Sequence, residues 1–150
     1  MNMKRAFYKS DIGNLEIVEE NNFIIKVGLI DETAENDESN LLEKAILQLD
    51  EYFLGKRKIF DLPIKFNGTA FQNKVWKELM NIPYGTTKTY KEIAALVENP
   101  KACRAVGNAN NKNSIIIIIP CHRVIGSNQS LVGYALGLDI KEKLLNLEKI

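Results

Sequence analysis

A chain of 150 residues that is 45% hydrophobic can build one full domain, or a small domain joined to a slightly larger one, around a sizeable core. Two cysteines and one histidine cannot assemble a four-ligand zinc site unaided, and the longest apolar run is far too short to span a bilayer. The first ten residues carry Lys4, Arg5 and Lys9 with no apolar core behind them, unlike a signal peptide, so an intracellular setting with free thiols and no metal is expected.

The net charge of +1 hides an asymmetry. Residues 1–68 carry 9 basic and 13 acidic side chains, whereas residues 69–150 carry 11 basic and 6 acidic. The C-terminal half is therefore the one suited to phosphate, although an imbalance of this size is supporting information only.

In chain order, the N-terminal third alternates apolar and polar residues around two turn signals, Gly13-Asn14 and Asn21-Asn22, with Leu15–Val18 and Phe23–Val27 as strands of a small meander. Acidic residues 31–38 read as a solvated loop. Ser39 then caps a helix with the apolar stripe Leu41, Leu42, Ala45, Ile46, Leu49, Tyr52 and Phe53, which Gly55 ends. Extended Phe60–Ile64 leads to Asn67-Gly68, where we divide the chain into domains 1–66 and 67–150.

The second half opens with a capping box, Thr69 to Gln72, and a helix through Met80 whose core face is Phe71, Val75, Trp76 and Leu79. Ile82-Pro83-Tyr84-Gly85 breaks it. A second capping box, Thr89 to Glu92, starts a short helix carrying Ile93, Ala94, Leu96 and Val97, and a further helix with Asn99 as N-cap and Pro100 in first position runs to about Ala109. The pair reads as a helix-turn-helix. Its second helix is lined with small residues (Ala102, Cys103, Ala105, Gly107, Ala109) around Arg104, which suits either close backbone approach to a partner or tight core packing.

Five isoleucines, Ile115 to Ile119, then run into Pro120-Cys121-His122-Arg123-Val124. The run reads as a strand buried on both faces, and the proline forces a turn that places Cys121 where a rigid element stops. A neighbouring imbidazole can take a thiol proton if the turn folds His122 toward a third, orienting group. The dipeptide alone fits a buried structural cysteine beside a surface histidine equally well. On the terminal helix opened by Asp139 and Glu142, the apolar positions Ile140, Leu144 and Leu147 put Glu148 on the buried face, where a carboxylate needs a partner. A solvated Glu148 at a frayed helix end is the alternative.

Pro120–Val124, Ile82–Gly85 followed by Thr89-Tyr90 and Glu92-Ile93-Ala94, Arg104–Gly107, Asn113, Gly133-Tyr134 and Glu148 together resemble the methylated-DNA-protein-cysteine methyltransferases, or O6-alkylguanine-DNA alkyltransferases. The likeness runs from about Thr69 to the C-terminus. It implies an α/β N-terminal small ribonuclease-H-like domain plus a mostly α C-terminal domain with a winged helix-turn-helix. It further implies a single-turnover repair protein that flips O6-alkylguanine, and O4-alkylthymine as well, out of duplex DNA and moves the alkyl group irreversibly to Cys121, without a cofactor.

In that family pattern His122 deprotonates Cys121 through a water, Glu148 orients His122, Tyr90 donates a proton or hydrogen bond to the departing guanine, and Asn113 holds the turn carrying the cysteine. Arg104 fills the space of the flipped nucleotide, with Ala102, Ala105, Gly107, Thr89, Tyr90 and Arg123 also facing DNA in the minor groove, largely regardless of base sequence. Pro120, Val132, Gly133, Tyr134 and Ala135 line the base pocket. Read from the residues alone, Tyr90 is equally a packing residue and Asn113 an ordinary loop residue. The chain departs from the pattern at Leu136, which is bulkier than usual and is expected to narrow the pocket, at Asn108, and at Cys103. A monomer is expected. Two other classes compete: a lesion-binding alkyltransferase-like protein, which Cys121 argues against, and a thiol hydrolase, which the helix-turn-helix disfavours.

Overall fold

The computed structural model describes residues 3–127 and 134–149 and divides into two compact units, Met1–Phe66 with Ser114–Ile118, and Asn67–Asn113 with Ile119–Ile150. Residues 114–118, expected with the second domain, thus belong to the first unit. No described helix is long and apolar enough to cross a membrane.

In the first unit, β1 (Met3–Ser10), β2 (Gly13–Glu20) and β3 (Phe23–Leu29) form an antiparallel sheet in that order. β1 was not among the strands read from the sequence. The first turn falls on residues 11–12, two residues earlier than the expected Gly13-Asn14, because Gly13 already pairs with Ser10. The second lies at Asn21-Asn22, both left-handed (φ 52° and 65°), the conformation that matches the twist of a two-residue hairpin. The acidic loop covers the sheet edge: Asn36 Oδ1 and Asp37 Oδ2 each accept a bond of 2.8 Å from the backbone of β1, at Phe7 and Arg5.

Helix α1 (Asn40–Phe53) begins where Ser39 accepts from the Leu42 N–H, and buries Leu42, Ala45, Leu49, Tyr52 and Phe53. Leu41 and Ile46, expected in that stripe, are only half-buried, and Gln48 is buried instead. Its amide exchanges two bonds with the Asp61 backbone, which pins the extended segment leading to Ile64.

The isoleucine run is buried throughout, but it is not a strand. Ile115 makes an isolated bridge to Val27, and the chain then reverses, with Ile117 at φ 72° and the Ile118 N–H bonded to the Ile116 carbonyl at 2.8 Å. A β-branched residue at positive φ is strained. Here the burial of Ile117, 1% exposed, offsets that strain. Nothing local in five isoleucines marks a turn, so the pattern of a buried strand was satisfied by a segment that is not one.

The second unit is helical: α2 (Ala70–Leu79), α3 (Tyr90–Leu96), α4 (Cys103–Asn111) and α5 (Leu138–Leu147), with a two-residue parallel ladder between β4 (Lys88–Thr89) and β5 (Val124–Ile125). Both capping boxes form, at Thr69/Gln72 and Thr89/Glu92. α4 starts later than expected. Glu98 turns left-handed (φ 60°), the Ala102 N–H closes a turn onto the Asn99 carbonyl at 2.9 Å, and Pro100 sits in that turn rather than in the helix. Trp76 Nε1 donates to the Ala109 carbonyl at 2.8 Å and fastens α2 to α4. A Cβ added at Gly68 would lie 2.5 Å from the Trp76 ring and 2.6 Å from Gln72 Oε1, so Gly68→Ala is expected to lower stability by about 1–3 kcal/mol. An unchanged melting temperature would show that the ring gives way.

Candidate active site

Pro120, buried and lacking an N–H, ends the apolar run, and the chain winds into one 3₁₀ turn, Cys121–Arg123, closed by the Arg123 N–H on the Pro120 carbonyl at 3.0 Å. Val124 then pairs with Lys88, so the turn is held from both ends. Cys121 is 3% exposed and His122 is fully buried.

Glu148, the residue that closes α5, is 1% exposed and stands at the centre of a buried network. Its Oε2 lies 2.6 Å from His122 Nε2, while Arg123 donates from Nε to Oε1 at 2.8 Å and from Nη2 to Oε2 at 3.1 Å. Arg123 also donates from Nη1 to the Ile82 carbonyl at 2.7 Å and lies 5.7 Å from the Tyr84 ring centroid. Two charge-assisted bonds to guanidinium already balance the carboxylate. His122 therefore need not be a cation, and its burial pushes the imidazole pKa below the ordinary value, against the pull of Glu148. A neutral ring that donates from Nε2 to Glu148 leaves Nδ1 unprotonated. That atom is buried and makes no hydrogen bond to described protein atoms.

Arg123, expected on the DNA-facing surface, is corrected by this arrangement: it is 6% exposed and its charge is spent on Glu148. Glu148 itself lies on the buried face of α5, but that face is Lys141, Leu144 and Glu148, whereas Ile140 and Leu147 are half-buried.

Around the thiol the fold gathers side chains from four segments. Tyr134 is 3.6 Å from Cys121 Sγ through its hydroxyl, and the Asn113 amide bonds the sulfur and donates to the Ile119 carbonyl at 2.8 Å. Asn110 on α4 donates to the Cys121 carbonyl at 3.2 Å. Lys141, fully buried, holds its ammonium 5.6 Å from the Tyr134 ring centroid and 5.8 Å from that of Tyr90. Burial lowers the Lys141 pKa to about 8, and the Cys121 sulfur opposes that shift. Burial raises the Cys121 pKa, and its hydrogen bonds with Asn113 and Tyr134 and the Lys141 charge only partly offset it, so the resting group is the thiol rather than the thiolate. A base is needed to use it.

Arg104 and Ala105 project from the exposed side of α4, while Ala102, Gly107, Thr89 and Tyr90 are half-buried. A shallow cavity of about 450 Å³ is lined by Tyr90, Cys103, Arg104, Gly107, Asn111 and Gly126 among others. A Cβ at Gly107 would meet Tyr90 only at 3.9 Å, an ordinary contact, so packing on α3 does not demand glycine there. Ala135 is exposed, and its N–H donates to Asn111 Oδ1 at 3.2 Å. Val132 and Gly133 lie outside the described residues. Among the described residues no group of three or more His, Cys, Asp or Glu is placed to hold a metal ion.

Sequence reasoning missed Lys141 and Asn110. For Lys141 a signal existed, since it lies three residues before Leu144 and seven before Glu148, on the same helical face.

Two small units, one carrying a three-stranded sheet and the other a pair of short helices beside a buried Cys-His-Glu cluster, define a two-domain protein with a candidate nucleophilic site. The family descriptions agree: residues 3–66 match the ribonuclease-like domain and residues 70–150 the DNA binding domain of 6-O-methylguanine DNA methyltransferase. The constitutive methylated-DNA–protein-cysteine methyltransferase of Bacillus subtilis is 46% identical over 95% of this chain and 93% of its own. That of Methanosarcina acetivorans is 55% identical over 82% of this chain and 78% of its own. Among solved structures, the Mycobacterium tuberculosis O6-methylguanine methyltransferase is similar with a TM-score of 0.89 at 38% identity, covering 98% of this chain and 93% of that one. The Mycobacterium tuberculosis protein in complex with DNA is similar with a TM-score of 0.88 at 39% identity, covering 98% and 92%. The chain belongs to the methylated-DNA–protein-cysteine methyltransferase family.

Proposed function

We propose that this protein repairs DNA by moving the alkyl group of O6-alkylguanine onto its own Cys121, once per molecule. The observation that carries the reading is the Arg123–Glu148–His122 network, which presents an unprotonated, buried Nδ1 on the residue next to a free thiol. His122 accepts the Cys121 proton at that nitrogen through one water, and the imidazolium that results is stabilised by Glu148. The sulfur attacks the alkyl carbon, a C–S bond forms, and the C–O6 bond breaks with its electron pair passing to guanine. Tyr90 donates to the departing base. Lys141, between the Tyr90 and Tyr134 rings, offsets negative charge as it leaves the sulfur. The thioether has no leaving group, so the protein is consumed.

DNA is the partner. Arg104 on the exposed face of α4 takes the place of the extruded nucleotide, and the small residues Ala102, Ala105 and Gly107 let the helix enter the minor groove. Tyr134, Pro120 and Ala135 line the base pocket. Asn113 holds the cysteine turn. We place the protein in the cytoplasm beside the nucleoid, acting as a monomer on O6-alkylguanine and, in the same pocket, on O4-alkylthymine.

The reading fails if incubation with a duplex containing one O6-methylguanine adds no methyl group to the intact protein. Tight lesion binding without a mass gain would move it to the recognition-only class. Binding should also be weakly salt-dependent. With Arg123 and Lys141 buried, the exposed cations on and around α3 and α4 are Lys91, Lys101, Arg104 and Lys112. About three or four phosphate contacts predict a slope of log affinity against log salt of roughly −3 to −4, measurable by titration at several ionic strengths. A slope near −8 would show that other surfaces take part.

A further inference from the structure

α4 has two faces with different work. Arg104, Ala105 and Asn108 are exposed, while Val106, Ala109 and Asn110 are buried. An asparagine 1% exposed on the inner face of a nine-residue helix is a poor choice for stability, since it is a weak helix former and a buried amide must be satisfied. Its Oδ1 makes no hydrogen bond to described atoms. With Oδ1 unbonded, the amide nitrogen is the end left for its partners. Nδ2 donates to the Cys121 carbonyl at 3.2 Å, and the Asn110 side chain also hydrogen-bonds the Tyr90 hydroxyl. Rotating the amide by half a turn would set Oδ1 against the Cys121 carbonyl, acceptor facing acceptor, so the carbonyl fixes which end of the amide meets Tyr90.

We propose that Asn110 is a positioning residue for alkyl transfer: one amide group ties the Tyr90 hydroxyl to the backbone of the nucleophile and leaves the phenol proton to be donated elsewhere. The inference rests on the transfer proposed above. A phenol that accepts from an N–H directs its own proton away from that donor, which is the orientation a proton or hydrogen-bond donor to a departing guanine requires. Burial and the nearby Cys121 sulfur hold the Tyr90 pKa above its ordinary value, and the Asn110 bond acts in the opposite direction, favouring the charge that develops on the oxygen as it donates. The same helix carries Arg104 outward, so residues that meet the duplex and the group that orients the donor share one rigid element.

The test is a double-mutant cycle on the single-turnover rate of methyl transfer from an O6-methylguanine duplex, with Asn110→Leu, Tyr90→Phe and the double variant. Asn110→Leu is expected to slow transfer about 5- to 10-fold, the effect of one lost hydrogen bond, with affinity for undamaged duplex within about two-fold of the parent. In the Tyr90→Phe background the same change should slow transfer less than about two-fold. Equal slowing in both backgrounds would mean that Asn110 acts only on the fold of the cysteine turn and would overturn the proposal, as would transfer by Asn110→Leu at the parental rate. Should Asn110→Leu not fold, Asn110→Asp keeps the shape without the N–H donors, and the same two backgrounds decide. Absence of transfer by the unaltered protein would instead remove the function itself.

Discussion

Replacing Cys121 by serine is expected to abolish methyl transfer, by more than about 10⁴-fold, while binding to a lesion-containing duplex survives. The hydroxyl is close in size to the thiol, so the 3% exposed site and the bonds around it are retained. What is lost is a polarisable nucleophile that His122 can deprotonate, because a serine hydroxyl is far less acidic and burial raises the pKa of an anionic nucleophile further. Intact mass followed by peptide mapping reads the result: a gain of one methyl group on Cys121 in the parent and none in Cys121→Ser. A methyl group found on Cys103, half-buried at the start of α4, would move the acceptor to that residue. Methylation of Cys121→Ser at an unchanged rate would remove the nucleophile assignment altogether.

Glu148→Gln is expected to cost both stability and activity, through different atoms. The amide keeps the shape but not the charge, so a guanidinium 6% exposed loses its carboxylate and keeps neutral partners, the glutamine oxygen, the Ile82 carbonyl and the Tyr84 ring. Breaking a buried ion pair from one side costs about 3 kcal/mol or more. For a chain of this size that is a fall in melting temperature of roughly 6–12 °C. With the glutamine oxygen held by Arg123, its NH₂ faces His122 Nε2, which must then accept, and the ring proton moves to Nδ1. The general base is thereby blocked, and transfer should slow by about 10³- to 10⁴-fold, the scale of a wrong-tautomer change in a comparable relay. A variant that melts lower but transfers at the parental rate would separate the ion pair from catalysis. Acid should act on the same histidine. Because burial holds the folded His122 pKa below that of the unfolded chain, the unfolded state binds the proton first. The stability contributed by neutral His122 is therefore full above about pH 6.5 and is lost progressively as pH falls below that value. Transfer should decline over the same range, as the base becomes protonated; a rate that rises on acidification would contradict the role of Nδ1.

Helix starts with local chemistry were legible one by one. Ser39, Thr69 and Thr89 each bond the backbone three residues on, and the two capping boxes close within four residues, so no distant contact is needed to specify them. Glu148 was also within reach, because helical spacing from Leu144 puts it inward whatever it meets there. The start of α4 was misread for the converse reason: Asn99-Pro100 satisfies a local helix-start rule, but Glu98 takes a left-handed conformation and Asn99–Ala102 closes as a turn.

What the sequence by itself determined is thus the family, the nucleophile and base candidates in Pro120–Val124, and most of the helices, all of which depend on residues adjacent or one helical turn apart. Only the tertiary structure decided that Arg123 faces Glu148 rather than DNA, across 25 residues of chain, and that Lys141 and Asn110 join the thiol and Tyr90. It also decided that the isoleucine run reverses at Ile117 instead of extending as a strand. The physical reason is common to these cases. A buried charge, amide or strained φ is tolerated only where partners distant in sequence supply the opposing charge, the donor or the apolar burial, and a local pattern does not encode those partners.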